Sequence, residues 1–335
     1  MKIVDINFYH YETKFKVPVI TPKVTMTSRK VLLIELITEK QNHYFGESNA
    51  FETAWYTNET IEIVQTQAEL WYSKYKNRTF DHFSEIQSAL DDLYEYPSTR
   101  NTLMMACYPM FHDLHAFHVP YGATLNGLTE ETLRQLSDTK PERVKIKWTA
   151  NILNDIATVK NLPADIQITV DANESLNLNQ AAQLKALIDE RILYIEEPFK
   201  SLEQLNHFNE HDLPPIAIDE KATSDRAIID AIEQYEVDVV VLKPFRLGGI
   251  DKTLTIIEIL KRKNIKFVIG GMYEYGLSRY FTAMLAQYAD YPSDITPEGY
   301  YFENDIVQYS GILKGGSIYF EPPKVDMTQL GRIIS

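Results

Sequence analysis

From Pro120 onward the chain alternates between short β-branched runs and longer stretches with helical spacing. The runs are Val144–Trp148, Ile166–Ala172, Leu193–Glu197, Ile216–Asp219, Val237–Leu242 and Lys266–Ile269. Charged residues recur near their ends: Lys147, Asp171, Glu196, Asp219 and Lys243 follow one another at intervals of 24, 25, 23 and 24 residues. A strand, a crossover helix and two loops take about that many residues, so the period reads as βα repetition. Six consecutive units predict a parallel barrel or an open parallel sheet. The barrel is favoured because the polar residues sit at the C-terminal end of each strand, where barrel active sites are built.

The first 110 or so residues follow a different pattern. Val31–Ile37 is β-rich, Glu39–His43 is turn-like, and Tyr44–Gly46 reads as a second short strand, together an antiparallel meander. Helical spacing then predicts helices over Glu59–Tyr75, Phe83–Tyr94 and Ser98–Phe117. Strands followed by helices suggest an α+β unit. From about Tyr300 the period is lost; Gly315-Gly316 precedes a strand-like Ser317–Phe320 and then Pro322-Pro323. The expected organisation is an α+β domain over 1–115, an α/β barrel over 116–299, and a segment over 300–335 that returns to the first domain.

Strand parity brings in the chemistry. Alternate side chains of a strand face opposite sides. Lys145 and Lys147 share one face; Asp171, Glu196 and Asp219 each lie opposite the apolar residues of their own strand, and Lys243 ends the next. With the apolar faces on the outer helices, all six point into one barrel mouth. Three carboxylates on successive strands repel one another unless a cation joins them. An oxygen-only ligand set suits a hard ion such as Mg²⁺. A lysine near another cation has a lowered pKa and serves as a base near neutral pH. Metal and bases together point to proton abstraction next to a carboxylate, with an enediolate intermediate.

Composition narrows the partners. Of 335 residues, 44% are hydrophobic and 24% charged, which provides for a sizeable core. The net charge of −14 argues against nucleic acid or an anionic membrane as partner. The single cysteine, Cys107, excludes an intrachain disulfide framework and thiolate zinc clusters. No apolar run approaches the ~20 residues of a membrane span, and the N-terminus lacks a signal-peptide stretch. A cytoplasmic enzyme acting on a small-molecule carboxylate is expected.

As an ordered set, the motifs carry a family resemblance. Lys145-Ile146-Lys147, Val170-Asp171-Ala172-Asn173, Tyr194-Ile195-Glu196-Glu197-Pro198, Ile218-Asp219-Glu220, Leu242-Lys243-Pro244, Gly248-Gly249-Ile250 and Gly270-Gly271-Met272, with Phe45-Gly46-Glu47 upstream, resemble the enolase superfamily in its muconate-lactonising-enzyme-like branch. The resemblance implies an α+β capping domain on a modified (β/α)7β TIM barrel. It implies Mg²⁺ on Asp171, Glu196 and Asp219, with Glu197 supporting them from behind. It implies Lys147 as acid and base, Lys145 assisting it, and Lys243 facing the substrate from the other side. Within the branch, Phe51–Ile61 and Lys243-Pro244-Phe245-Arg246 are similar to o-succinylbenzoate synthases of the kind related to N-succinylamino acid racemases. The implied reaction is syn-dehydration of 2-succinyl-6-hydroxy-2,4-cyclohexadiene-1-carboxylate in menaquinone biosynthesis. Racemisation of N-succinylamino acids, or another acylamino acid or dipeptide epimerisation, is the alternative on the same residues. Met110-Phe111-His112-Asp113-Leu114 departs from the family's usual Ala-Leu-Trp-Asp-Leu.

Other readings compete with these. A retaining glycosidase would use Glu196 with a partner carboxylate, but inward lysines count against it. A non-catalytic barrel would be expected to have lost ligands or bases, and all six positions are filled. His112, His115 and His118 fall three apart and read more simply as packing or surface residues than as a metal site. Gly270-Gly271 follows a strand where a substrate carboxylate could approach the backbone. Trp55 and Tyr56 are mostly core by composition, with one or two cap aromatics placed to close over substrate.

Overall fold

The computed structural model describes residues 1–335 except Pro22, Ala164, Glu210, His211, Ile334 and Ser335, so the last two residues of the expected returning segment lie outside the described residues. Strands β1 (Ile3–Ile20), β2 (Thr25–Thr38) and β3 (His43–Glu47) form the expected antiparallel meander. The first two are much longer than the apolar run at Val31–Ile37. Burial is concentrated in their inner halves; the outer halves pair through the backbone and leave their side chains largely exposed, Val17 and Ile20 among them.

Helices α1 (Ile61–Tyr75) and α3 (Pro97–Cys107) pack against this sheet, and α2 (Phe83–Leu90) packs against α3. Helix α1 starts after Glu59, because Thr60 is its N-cap and accepts from the Ile63 N–H. Glu59 caps α3 instead, accepting the Ser98 and Thr99 N–H groups at 2.6 and 2.9 Å. Helix α3 stops at Cys107, ten residues before the expected end. Pro109 has no N–H to continue the ladder, and Phe117, expected to be helical, opens strand β4 (Phe117–Pro120).

The barrel strands are β5 (Gly122–Leu125), β6 (Arg143–Lys147), β7 (Gln167–Asp171), β8 (Ile195–Glu196), β9 (Ile216–Ile218), β10 (Val239–Leu242) and β11 (Lys266–Ile269). They form one curled parallel sheet in chain order. The connecting helices are α4 (Glu130–Thr139), α5 (Ile152–Lys160), α6 (Ala181–Asp189), α7 (Asp225–Gln234), α8 (Pro244–Leu247), α9 (Ile250–Arg262) and, after β11, α10 (Gly276–Ala286). Between β8 and β9 a single tight helical segment at Leu202–His207 replaces the α-helix.

The eighth barrel position is reduced to one bridge, Gly270 to Asp294. The Asp294 N–H donates to the Ile269 carbonyl at 2.9 Å, and the Ile269 N–H to the Ser293 hydroxyl at 2.9 Å. On the other side of this seam, a Cβ on Gly122 would stand 2.7 Å from the Ser293 carbonyl, so only glycine lets β5 come this close. The architecture is a modified TIM barrel with an antiparallel capping sheet.

The tail first builds a small sheet, with β12 (Ser310–Lys314) and β13 (Ser317–Phe320) on β4. Then β14 (Gly331–Arg332) joins the edge of β1 in the cap. Arg100 on α3 locks the cap to the barrel. Its two terminal nitrogens each donate to an Asp251 oxygen of α9 at 2.8 Å, and one also reaches the Gly248 carbonyl at 2.5 Å. No helix among the described residues is long and apolar enough to cross a membrane.

Candidate active site

The alternation of β6 puts Arg143, Lys145 and Lys147 on the inner face, at rising height in the barrel. The lowest layer is Arg143 with Thr169 and Tyr194, beside a small apolar cluster of Tyr194, Ala217 and Val239. Above it, all six residues singled out from the sequence meet as lysine–carboxylate pairs. Lys145 donates to Glu196 at 2.6 Å and to Asp294 at 2.5 Å. Lys147 donates to Asp171 and, at 2.7 Å, to the Asn173 side chain. Lys243 donates to Asp219 at 2.7 Å and to the Tyr56 hydroxyl at 2.9 Å. Asp171 and Glu196 are direct cross-strand partners on β7 and β8.

Electrostatics follow from this crowding. Burial pushes Glu196 well up, and the charges of Asp171 and Asp219 add to that against the pull of Lys145. Burial raises Asp219 as well, but Lys243 and Arg246 outweigh it and hold the carboxyl below its usual range. For Lys243, burial favours the neutral amine, yet the charges of Asp219 and Tyr56 carry it above the ordinary lysine value. Lys145 is likewise lifted by Asp294 and Glu196 despite its burial. Its charge is thus compensated by two carboxylates. Glu220 is pushed up to about 7 by burial and by neighbouring Asp219, and one of its oxygens is buried without a partner.

Glu197 turns away from the mouth. Its backbone is left-handed, with φ 42°, and its carboxylate accepts the Asp219 and Lys221 N–H groups at 2.8 and 2.9 Å and the Lys221 ammonium at 2.5 Å. It therefore fixes the turn that presents Asp219. Arg246 donates to the Asp219 side chain at 2.9 Å and also to Tyr56. The three histidines do not gather: His112 stacks on Tyr108 and His118 on Tyr319. Gly270 and Gly271 serve side-chain approach: a Cβ on Gly270 would stand 3.2 Å from the Lys243 Cε, and one on Gly271 2.0 Å from a Glu274 oxygen.

Sequence reasoning missed Arg143, Asp294 and the placement of Tyr56. Arg143 has the parity of Lys145, two residues earlier. Asp294 falls 25 residues after Ile269, one further βα period. Tyr56 arrives from the cap on a loop that carries no periodic signal. Phe15, Phe51, Tyr273 and Tyr301 complete an aromatic wall, with ring centroids 5.1 to 6.4 Å apart.

The family model "Enolase C-terminal domain-like" matches residues 128–321, more than half of the chain. The chain belongs to the enolase superfamily. It is 28% identical to the o-succinylbenzoate synthase of Bacillus subtilis (strain 168), over 92% of this chain and 88% of that one. It is 27% identical to the N-succinylamino acid racemase of Thermus thermophilus, over 92% and 87%. The dipeptide epimerase of Enterococcus faecalis V583, solved with Mg and the dipeptide L-Leu-L-Tyr, superposes with a TM-score of 0.80 at 22% identity, over 98% of this chain and 99% of that one. Enolase-superfamily relatives of this chain thus include a synthase, a racemase and an epimerase.

As placed, no three acidic, histidine or cysteine side chains among the described residues converge on one point in ion-holding geometry. The oxygens of Asp171, Glu196 and Asp219 each meet an ammonium group instead. The donor set still fits a hard divalent cation in kind. It is made only of carboxylates, on three adjacent strands, in positions where positive charge already stands.

Proposed function

We propose that this enzyme is an o-succinylbenzoate synthase, dehydrating 2-succinyl-6-hydroxy-2,4-cyclohexadiene-1-carboxylate in menaquinone biosynthesis. Asp171, Glu196 and Asp219 would hold Mg²⁺, for which their oxygen-only chemistry is suited. The bound ion would supply positive charge to a substrate carboxylate.

The observation that carries the reading is the asymmetry between the two outer lysines. The Lys147 side chain is 34% exposed, on the open side of the mouth. The Lys243 side chain is 7% exposed and is held by Asp219 and Tyr56, with Arg246 adjoining. Dehydration on one face needs one mobile base, whereas racemisation needs one on each face.

Lys147, as the amine, takes the proton α to the ring carboxylate, and an enediolate forms. The resulting ammonium returns that proton to the departing β-hydroxyl on the same face. The C–O bond breaks, water leaves, and the ring gains its third double bond. Asp171 and Asn173 orient the Lys147 nitrogen. Lys243 stays an ammonium and serves as a fixed cation beside the ring. The aromatic wall excludes water from the apolar face of the substrate.

The test is loss of the diene absorbance on mixing with the cyclohexadiene carboxylate and Mg²⁺, with EDTA and Lys147→Ala controls. Fast turnover dependent on both the metal and Lys147 supports the dehydratase. No turnover, with Mg²⁺ still bound, moves the assignment to N-succinylamino acid racemisation. The presence of both lysines and the racemase relative favour that as the second reading.

A further inference from the structure

Gly46-Glu47 is a motif that the proposed chemistry does not use. Its two residues have separate physical reasons. A Cβ on Gly46 would stand 1.9 Å from the Thr102 carbonyl, so glycine is needed for β3 to lie against α3. Glu47, 1% exposed, then reaches out of the cap to the start of α10 in the barrel. One carboxylate oxygen accepts the Tyr275 N–H and the other the Ser278 N–H, each at 2.8 Å. Tyr275 is the N-cap residue of α10, and its own side chain makes no capping bond. The helix therefore takes its cap from another domain, in the place a local Ser or Asp would fill.

A second carboxylate ties the same segment. Glu274 accepts from Asn49 of the cap at 3.1 Å and from Ser278 and Thr282 of α10, each at 2.7 Å. The Tyr275 hydroxyl donates to the Arg29 carbonyl at 2.6 Å and accepts the Thr13 N–H at 3.2 Å, plugging into β1 and β2. The residues so held lead back to the mouth. Tyr273, with φ 50°, is part of the aromatic wall, and Gly270 lies against Lys243.

We infer that Glu47 is a positioning residue: by capping α10 from the cap domain, it holds the Gly270–Tyr275 loop against Lys243 and the substrate space. The inference deepens the proposed reaction, and its consequence for catalysis rests on that reading. The loop is set by the cap, so cap and barrel share one active-site wall. Glu274 is the second arm of the same clamp, reaching both α10 and Asn49 of the cap.

The test uses the full chain with Glu47→Gln and Glu47→Ala, followed by amide hydrogen exchange across 270–282. Glutamine keeps one acceptor and alanine keeps none. Leaving a buried N–H without its acceptor loosens its protection by about tenfold or more. Exchange is therefore expected to rise about tenfold around one of Tyr275 and Ser278 in the Gln variant, and around both in the Ala variant. Protection of β6 to β10 is expected to stay as it was. On whichever substrate the wild type turns over, KM is expected to rise more than kcat falls. Unchanged exchange in the loop would overturn the inference, and so would an equal loss of protection throughout the barrel. Wild-type KM with a loosened loop would overturn the positioning role while leaving the cap. The exchange readout needs no substrate, so failure of the clamp is distinguishable from failure of the proposed reaction.

Discussion

Lys145 and Asp294 meet at 2.5 Å across the seam of the barrel. The lysine stands on the second parallel strand, and the aspartate at the single bridge where the eighth should be. Asp294 also takes the Arg143 guanidinium at 2.6 Å. One carboxylate therefore compensates two buried cations and fastens the closure of the barrel to the floor of the candidate site. Asp294→Asn is expected to cost about 3 to 5 kcal/mol in urea unfolding, the loss typical of leaving buried charge unpaired.

The two outer lysines are expected to separate in kinetics. Lys147→Ala is expected to lower kcat for dehydration by about 10² to 10⁴, the usual contribution of general acid–base catalysis. Lys243→Arg keeps a cation and is expected to retain dehydration within about tenfold, while abolishing any exchange of the α-proton of an N-succinylamino acid. Diene absorbance and proton NMR in deuterium oxide check the pair. Equal losses in both variants would point to two working bases.

Metal removal gives a second check on the carboxylates. EDTA is expected to abolish turnover, and Mg²⁺ to restore it. Asp219→Asn leaves Lys243 and Arg246 facing a neutral amide, and is expected to weaken Mg²⁺ binding at least about tenfold by calorimetry.

The Arg100–Asp251 pair makes stability depend on pH with a defined sign. Burial raises Asp251, but hydrogen bonding and charge from Arg100 bring it net below its ordinary value. A group with a depressed folded pKa contributes stability above the unfolded value of about 4 and loses it as pH falls through the folded one. Wild-type stability is thus expected to drop below about pH 4 more steeply than that of Asp251→Asn. Thermal melts between pH 2 and 6 would show parallel curves if the pair contributes nothing.

Two glycines test close approach. Gly271→Ala would drive a methyl into Glu274, and Gly46→Ala one into the Thr102 carbonyl. Each is expected to lower stability by about 1 to 3 kcal/mol, the range for overpacking. Gly46→Ala is expected to be the worse, because backbone yields less than a carboxylate side chain. Denaturant midpoints rank them.

The βα period and the parity of each run determined, without any structure, that Lys145, Lys147, Asp171, Glu196, Asp219 and Lys243 share the inner face of one parallel sheet. That follows because facing direction is a local property of a strand, fixed by alternation. The meander was legible only where it is buried, since the outer halves of β1 and β2 pair through backbone atoms that have no sequence signature. Tertiary structure alone decided that Lys145 divides its charge between Glu196 and Asp294, that Tyr56 reaches Lys243 from the cap, and that Glu47 caps a helix 228 residues further along. Those contacts depend on how the sheet curls shut and how the cap sits on it. Both are set by packing between segments far apart in sequence, and no periodicity within a segment encodes them.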